Sequence, residues 1–351
     1  MPIKVLIVDD STFMCQILAK MVAEDSELTV VGIARDGKEA LEKVAELQPD
    51  VVTLDVQMPN MDGLKCLVAL MEQNPVPVIM VSNFTVSGAE PTVQALEYGA
   101  VDFVTKTSLN DTEAIFGIQT ELIQKIKVAA KIKVSNLKTA DTSKVAKPAK
   151  TKLDLLPSSI SKIELITIGT STGGPRALHR LLTLFPKDFP LGFIVAQHMP
   201  KDFTQVFAKR LNEQCKMEVA EAKTGDQIKP GKILIAPSGH QTQVLRSKNS
   251  LVVEVSDQPN LIYKPSVDHL LKSVATACGG NVLSIILTGM GADGAAGMEQ
   301  LRKLGARTIA EAEESCVVFG MPRVAIERGG AEYIESLPNI FSRIIDILSE
   351  S

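Results

Sequence analysis

The sequence predicts an α/β protein of two different domains, each a parallel sheet with helices on both faces. Three observations carry that expectation. Short apolar runs rich in Val and Ile alternate with segments of helical apolar spacing, the alternation pauses over a Lys/Ala/Ser/Thr/Pro stretch in mid-chain, and the charge balance changes sign at that pause. A length of 351 residues suits two domains, each with a core of its own.

In the first 125 residues the strand-like runs are Ile3–Val8, Thr29–Ala34, Val51–Leu54, Val76–Val81 and Val101–Val104. Helical spacing occupies Phe13–Glu24, Gly37–Leu47, Leu64–Gln73, Glu90–Tyr98 and Asp111–Ala130. Runs this apolar suit strands buried on both faces, which is the habit of parallel sheets. Five β/α units in this length resemble the flavodoxin-like doubly wound order, with a five-stranded parallel sheet.

Residues 1–125 carry 8 Lys+Arg against 19 Asp+Glu, residues 126–160 carry 8 against 2, and residues 161–351 carry 21 against 20. The basic stretch, KTADTSKVAKPAKTK, has neither aromatics nor arginines. It reads as a solvated, flexible linker over 126–160, not as a nucleic-acid or lipid grip.

The second domain, 161–351, is expected to be Rossmann-like and doubly wound, with a β-hairpin excursion around 232–255. Its strand candidates are Ile163–Gly169, Gly192–Gln197, Lys232–Ala236, Gln243–Leu245, Leu251–Val255, Asn281–Leu287 and Arg307–Ala310. Helical patterns lie at Arg176–Leu184, Phe203–Asn212, Val267–Cys278, Ala296–Leu304 and Arg323–Arg328. Neither half repeats the other.

Composition narrows the function classes. Hydrophobic residues are 45% and charged residues 22%, the balance of soluble globular protein. Five cysteines without a CxxC pair argue against a disulfide framework and against a zinc site. The N-terminal apolar run stops at two aspartates, so neither a signal peptide nor a membrane span is expected, and the protein is placed in the cytoplasm. With a nearly neutral second domain and no helix-turn-helix signature, nucleic acid is not an expected partner.

Ligands of an open parallel sheet gather at the carboxyl ends of its strands. In the first domain those ends carry Asp9 and Asp10, then Asp55, Ser82 and Lys106. Three carboxylates meeting at one place repel one another unless a cation joins them, and an all-oxygen set suits Mg2+, held by Asp9, Asp10 and Asp55. Asp55 is then the nucleophile for an acyl-phosphate, with Lys106 as a mobile positive charge and Ser82 as a hydrogen-bond donor to the phosphoryl oxygens. The stretches VDD (8–10), LDVQMPNMDG (54–63), VS (81–82) and GAVDFVTK (99–106) resemble the response-regulator receiver family. One departure stands out, since Thr107 follows Lys106 where receivers usually carry proline.

In the second domain, Gly169-Thr170-Ser171-Thr172-Gly173-Gly174-Pro175 follows an apolar strand and precedes a helix with proline in its first turn. Gly169, Ser171 and Gly173 satisfy G-x-S-x-G, in which a sharp strand-to-helix turn exposes a serine and aims the next amide at a developing oxyanion. Of four histidines, His179 and His269 fall inside helical patterns, whereas His198 and His240 both follow strands and either can serve as base. Asp293, in LTGMGADG after the strand Asn281–Leu287, is the candidate carboxylate to orient the imidazole.

The stretches IGTSTGGP (168–175), AQHMP (196–200), KPSVD (264–268) and LTGMGADG (287–294), behind a receiver and a linker, resemble the chemotaxis protein-glutamate methylesterases. The resemblance implies Ser171 as nucleophile, His198 rather than His240 as base, and Asp293 as its partner. It also implies the amides of Thr172 and Met290 as oxyanion hole. The activity implied is phosphorylation-activated hydrolysis of glutamate methyl esters on chemoreceptors, with deamidation of glutamines as a companion reaction. A histidine kinase is the implied phosphodonor, and the esterase domain is expected to use no cofactor.

Overall fold

The computed structural model describes residues 1–83, 86–106, 112–132 and 162–350. The chain divides into two compact units, residues 1–140 and 141–351.

The first unit alternates β1 (Ile3–Val8), α1 (Thr12–Ala23), β2 (Leu28–Ala34), α2 (Gly37–Leu47), β3 (Val51–Asp55), α3 (Gly63–Gln73), β4 (Val78–Asn83), α4 (Val86–Tyr98), β5 (Asp102–Lys106) and α5 (Thr112–Ala129). The sheet order is β2-β1-β3-β4-β5, and every pair is parallel. The chain therefore reverses its winding between β1 and β3, and a crevice opens beyond their carboxyl ends. Val5 to Val8 are buried, as a strand covered on both faces requires.

Local chemistry starts the helices where the sequence suggests. The side chain of Ser11 accepts from the Met14 amide, Asp36 from those of Lys38 and Glu39, and Asp62 from that of Lys65. α4 departs from the expectation. It begins at Val86, so Pro91 lies inside it, whereas Pro91 reads by itself as a first-turn residue. α5 ends at Ala129, within one residue of the end its helical spacing gives, and its last turn, with Ile126 and Ala129 fully buried, overlaps the start of the stretch counted as linker from 126. Residues 133–161 of that linker lie outside the described residues.

The second unit contains β6 (Leu165–Thr170), α6 (Gly174–Leu182), β7 (Gly192–Gln197), α7 (Phe203–Gln214), β8 (Glu218–Glu221), β9 (Gln227–Ile228), β10 (Lys232–Ile235), β11 (Gln241–Ser247) and β12 (Ser250–Ser256). It continues with α8 (Val267–Cys278), β13 (Val282–Ile286), α9 (Ala295–Lys303), β14 (Arg307–Glu311), α10 (Met321–Glu327), β15 (Tyr333–Glu335) and α11 (Leu337–Ser349). Its main sheet is parallel, in the order β15-β14-β13-β6-β7-β10-β8. A separate antiparallel sheet, β11-β12-β9, packs through Val244, Leu251 and Val253 into the core cluster that includes Leu270 and Val274 of α8.

The hairpin excursion is thus shorter than expected. β10 leaves it and enters the main sheet, since Ile233, Leu234 and Ile235 are all fully buried. A second core pocket is aromatic, with Phe185 meeting Phe189, Phe193 and Phe341 edge-on at 4.8, 4.9 and 5.0 Å between ring centroids. Among the described residues no helix is long and apolar enough to cross a membrane.

Candidate active site and acidic cluster

In the first unit the ends of β1 and β3 bring three carboxylates together. One oxygen each of Asp9, Asp10 and Asp55 lies within 4.8 Å of the others. Asp9 is fully buried and Asp55 nearly so, while Asp10 is exposed. The Ser11 amide donates to Asp9 Oδ1 (3.0 Å), and the Val56 amide donates to Asp55 Oδ1 (2.8 Å). Each inner carboxylate therefore has one oxygen pinned by backbone.

The Lys106 Nζ, from the end of β5, reaches Asp9 Oδ2 at 2.8 Å and Asp55 Oδ2 at 2.9 Å. Burial pushes the Asp55 carboxyl above its usual range against the pull of Lys106. Burial acts to lower Lys106, but Asp55 and Asp9 outweigh it and hold the ammonium up. Ser82 is buried at the end of β4, its hydroxyl accepting from Thr92 Oγ1 of α4 at 2.8 Å. The turn after β3 closes tightly on this cluster. The Gly63 amide donates to Val56 O, and a Cβ on Gly63 would stand 2.0 Å from the Asp55 carbonyl oxygen. Three hard oxygen donors at this spacing, one of them exposed, fit an octahedral divalent cation that keeps waters. Thr107 lies outside the described residues.

In the second unit the site forms where three neighbouring parallel strands end at one level. Gly169 of β6 pairs with Ile286 of β13 and with Ala196 of β7. The residues that follow are Ser171, Gln197 with His198, and the loop 287–293. The Ser171 amide donates to Thr288 O and the His198 amide to Thr170 O, both at 3.1 Å. Gln197, which the sequence marks only as a strand end within AQHMP, ties the two turns together. Its Nε2 donates to Ser171 O (3.0 Å) and to His198 O (2.8 Å). The serine turn needs its glycines: Gly173 adopts φ +78, and a Cβ on Gly174 would stand 2.1 Å from Gln197 Oε1.

Asp293, almost fully buried, accepts four hydrogen bonds. His198 Nε2 lies 2.8 Å from Oδ2, which also takes the Val267 amide at 2.7 Å. Oδ1 takes Ser266 Oγ at 2.9 Å and the Asp268 amide at 3.0 Å. Ser266 caps α8, so the positive end of that helix faces the carboxylate. Burial alone would raise Asp293, but the His198 hydrogen bond and the amides of Asp268 and Val267 outweigh it and hold its carboxyl below the usual range. An ionised Asp293 assigns the Nε2 proton to His198 and leaves Nδ1 as the nitrogen able to accept one. His240 instead pairs through Nδ1 with Asp257 Oδ1 at 2.7 Å, at an exposed position.

The loop after β13 leans on the serine turn, since a Cβ on Gly289 would come within 2.9 Å of Ser171 Cβ. Thr288 anchors that loop. Its amide donates to Glu311 Oε2 (2.8 Å), its hydroxyl to Thr172 O (3.0 Å), and its carbonyl accepts from Thr170 Oγ1 (2.7 Å). Two residues on, Met290 has an amide without an acceptor of its own among the described residues. Ser266, Thr288 and Glu311 carried no sequence signal beyond their places in KPSVD, in LTGMGADG and at the end of β14.

Two family models match the chain: CheB methylesterase over residues 166–344 and response regulator receiver domain over residues 5–115. The chain is 46% identical to a protein-glutamate methylesterase/protein-glutamine glutaminase of Syntrophotalea carbinolica, over 99% of this chain and 98% of that protein. It is 44% identical to the protein of the same description from Halalkalibacterium halodurans, over 98% and 97%. The solved structure of the Thermotoga maritima CheB methylesterase catalytic domain matches with a TM-score of 0.51 at 35% identity, covering 53% of this chain and 98% of that one.

Proposed function

Because the chain belongs to the CheB methylesterase family, with a response regulator receiver domain in front, we propose that it hydrolyses glutamate methyl esters on chemoreceptors when its receiver is phosphorylated. The observation that carries the reading is His198, held by a buried, four-fold hydrogen-bonded Asp293 at the sheet edge where Ser171 stands.

The Ser171 Oγ attacks the ester carbonyl as His198 Nδ1 takes its proton. The carbonyl electron pair moves onto oxygen, where the amides of Thr172 and Met290 receive the negative charge. Collapse breaks the bond to methoxide, His198 returns the proton, and methanol leaves an acyl-serine. Water then gives a proton to His198 and adds to the acyl carbon. Ser171 departs with that proton, and a glutamate side chain is restored. Deamidation of glutamine follows the same course with ammonia leaving. Asp293 stays ionised throughout, orienting the ring and stabilising the imidazolium.

In the first unit, Asp55 accepts the phosphoryl group from a histidine kinase. Asp9, Asp10 and Asp55 would hold Mg2+, which supplies charge neutralisation for the phosphoryl oxygens. Lys106 follows those oxygens as a point charge, and the Ser82 hydroxyl turns toward them, leaving Thr92. The domain limits proposed are 1–125, 126–160 and 161–351, and the cytoplasm is the proposed compartment.

The test is methanol release from carboxyl-methylated receptor membranes, with and without a small-molecule phosphodonor and magnesium. Wild type releases methanol, more so with the phosphodonor, and Ser171→Ala does not. A silent wild type under both conditions sinks the reading.

A further inference from the structure

Tyr263 lies in the segment between β12 and α8. Its ring is stacked on the His198 imidazole, with centroids 4.5 Å apart and planes inclined by 6°. The hydrogen bond to Asp293 holds His198 at Nε2 alone. One such bond fixes the direction of the N–H vector but leaves the ring free to swivel about it, and a swivel carries Nδ1 out of the plane it needs. A flat partner removes that freedom. We propose that Tyr263 is a positioning residue for the base, setting the ring plane of His198 so that Nδ1 is presented to Ser171. This rests on the reading of His198 as the base.

The segment carrying the ring is itself fastened. Gln241, fully buried, donates from Nε2 to Tyr263 O (2.8 Å), and its Oε1 accepts from the Ser266 amide (3.0 Å). The Gly239 amide donates to Lys264 O (3.0 Å). Three residues past Tyr263, Ser266, Val267 and Asp268 supply the donors that brace Asp293. Residues 263–268 thus set both the plane of the imidazole and the carboxylate that orients it.

Packing does not account for the ring. Tyr263 is 40% exposed, its neighbour Ile262 is 95% exposed, and the ring covers the histidine face rather than filling a core. A Cβ at Gly291 would stand 3.4 Å from its hydroxyl oxygen, so the hydroxyl end overlies the loop that carries Met290. Stacking needs the ring and not the hydroxyl, which separates two variants.

The experiment uses full-length Tyr263→Ala and Tyr263→Phe beside wild type and Ser171→Ala, with two readouts: steady-state methanol release from methylated receptor membranes, and the rate at which a small fluorophosphonate labels Ser171. Tyr263→Ala lowers kcat and the labelling rate about 10- to 100-fold with KM within about twofold, as a misaimed base does. Tyr263→Phe stays near wild type in both. Wild-type kcat in Tyr263→Ala overturns the proposal, as does a loss confined to KM, or a labelling rate that Ala leaves unchanged. Equal impairment of Phe and Ala overturns it too. In each of those cases active wild type and dead Ser171→Ala leave the esterase reading intact. Release that persists in Ser171→Ala removes that reading and the proposal with it.

Discussion

The Nε2 of His198 faces Asp293 Oδ2 at 2.8 Å, and the same carboxylate is bound by Ser266 Oγ and two amides at the start of α8. The acid of this pair is therefore a structural anion as well as an orienting one. Asp293→Asn substitutes an NH2 for an oxygen that only accepts, setting a donor against donors. Methanol release should fall on the order of 10⁴-fold, as in a serine triad whose histidine loses its orienting carboxylate. Stability should also fall, by about 1–3 kcal/mol for the stranded donors. A variant melting as wild type and keeping more than a tenth of its kcat contradicts this account.

The depressed carboxyl of Asp293 has a sign. A group whose folded value lies below its unfolded one stabilises the fold above the ordinary aspartate range and loses that contribution as pH falls through the folded value. The stability gap between wild type and Asp293→Asn should therefore be widest at neutral pH and shrink below about pH 4. Urea unfolding at several pH values measures it. A gap that widens toward acid refutes the assignment.

Glu311 runs the other way. It is fully buried under the Thr288 turn, accepting from the Thr288 amide and Ser315 Oγ, each at 2.8 Å. Burial pushes its carboxyl up despite those hydrogen bonds, so its charged form costs stability above the ordinary glutamate range and costs nothing well below it. Glu311→Gln should melt higher than wild type at neutral pH, with the difference fading toward about pH 4, and should keep methanol release within about twofold. Glu311→Leu strands the Thr288 amide and should cost about 1–3 kcal/mol with loss of activity. A Gln variant less stable than wild type at pH 7 would show that the charge is stabilising there.

The strand ends were legible because each carries a chemical mark. Val-rich runs stopping at Asp9, Asp55 and Lys106, or at Gly169 before a serine, announce both a parallel sheet and its functional edge. α2 was read to the residue since Asp36 caps it and its apolar spacing is clean. α4 was read short because Pro91 suggests a first turn. α11 was missed although Ile340, Phe341, Ile344 and Leu348 share one buried face, because an isoleucine-rich stretch leans toward strand by propensity. β8, β9 and β15 exist only through their partners. Gln197, Tyr263 and Thr288 act through long-range hydrogen bonds or ring contact, which no local pattern encodes.

Lys106 bridges Asp9 and Asp55, which are fully and almost fully buried, and so supplies the positive charge a divalent cation would also bring. Removing it leaves two buried carboxylates beside each other and the exposed Asp10. The first unit of Lys106→Ala should lose about 3–5 kcal/mol without magnesium, part of it relieved by proton uptake. Magnesium should then raise its Tm by more than it raises that of wild type, since the cation meets uncompensated carboxylates instead of a lysine. EDTA should abolish stimulation by a phosphodonor in wild type and leave basal methanol release untouched, because the chemistry proposed for Ser171, His198 and Asp293 calls on no metal. Equal magnesium shifts in the two proteins would mean that Lys106 and the cation do not compete for the same charge. A basal rate lost to EDTA would place a metal dependence in the esterase unit itself.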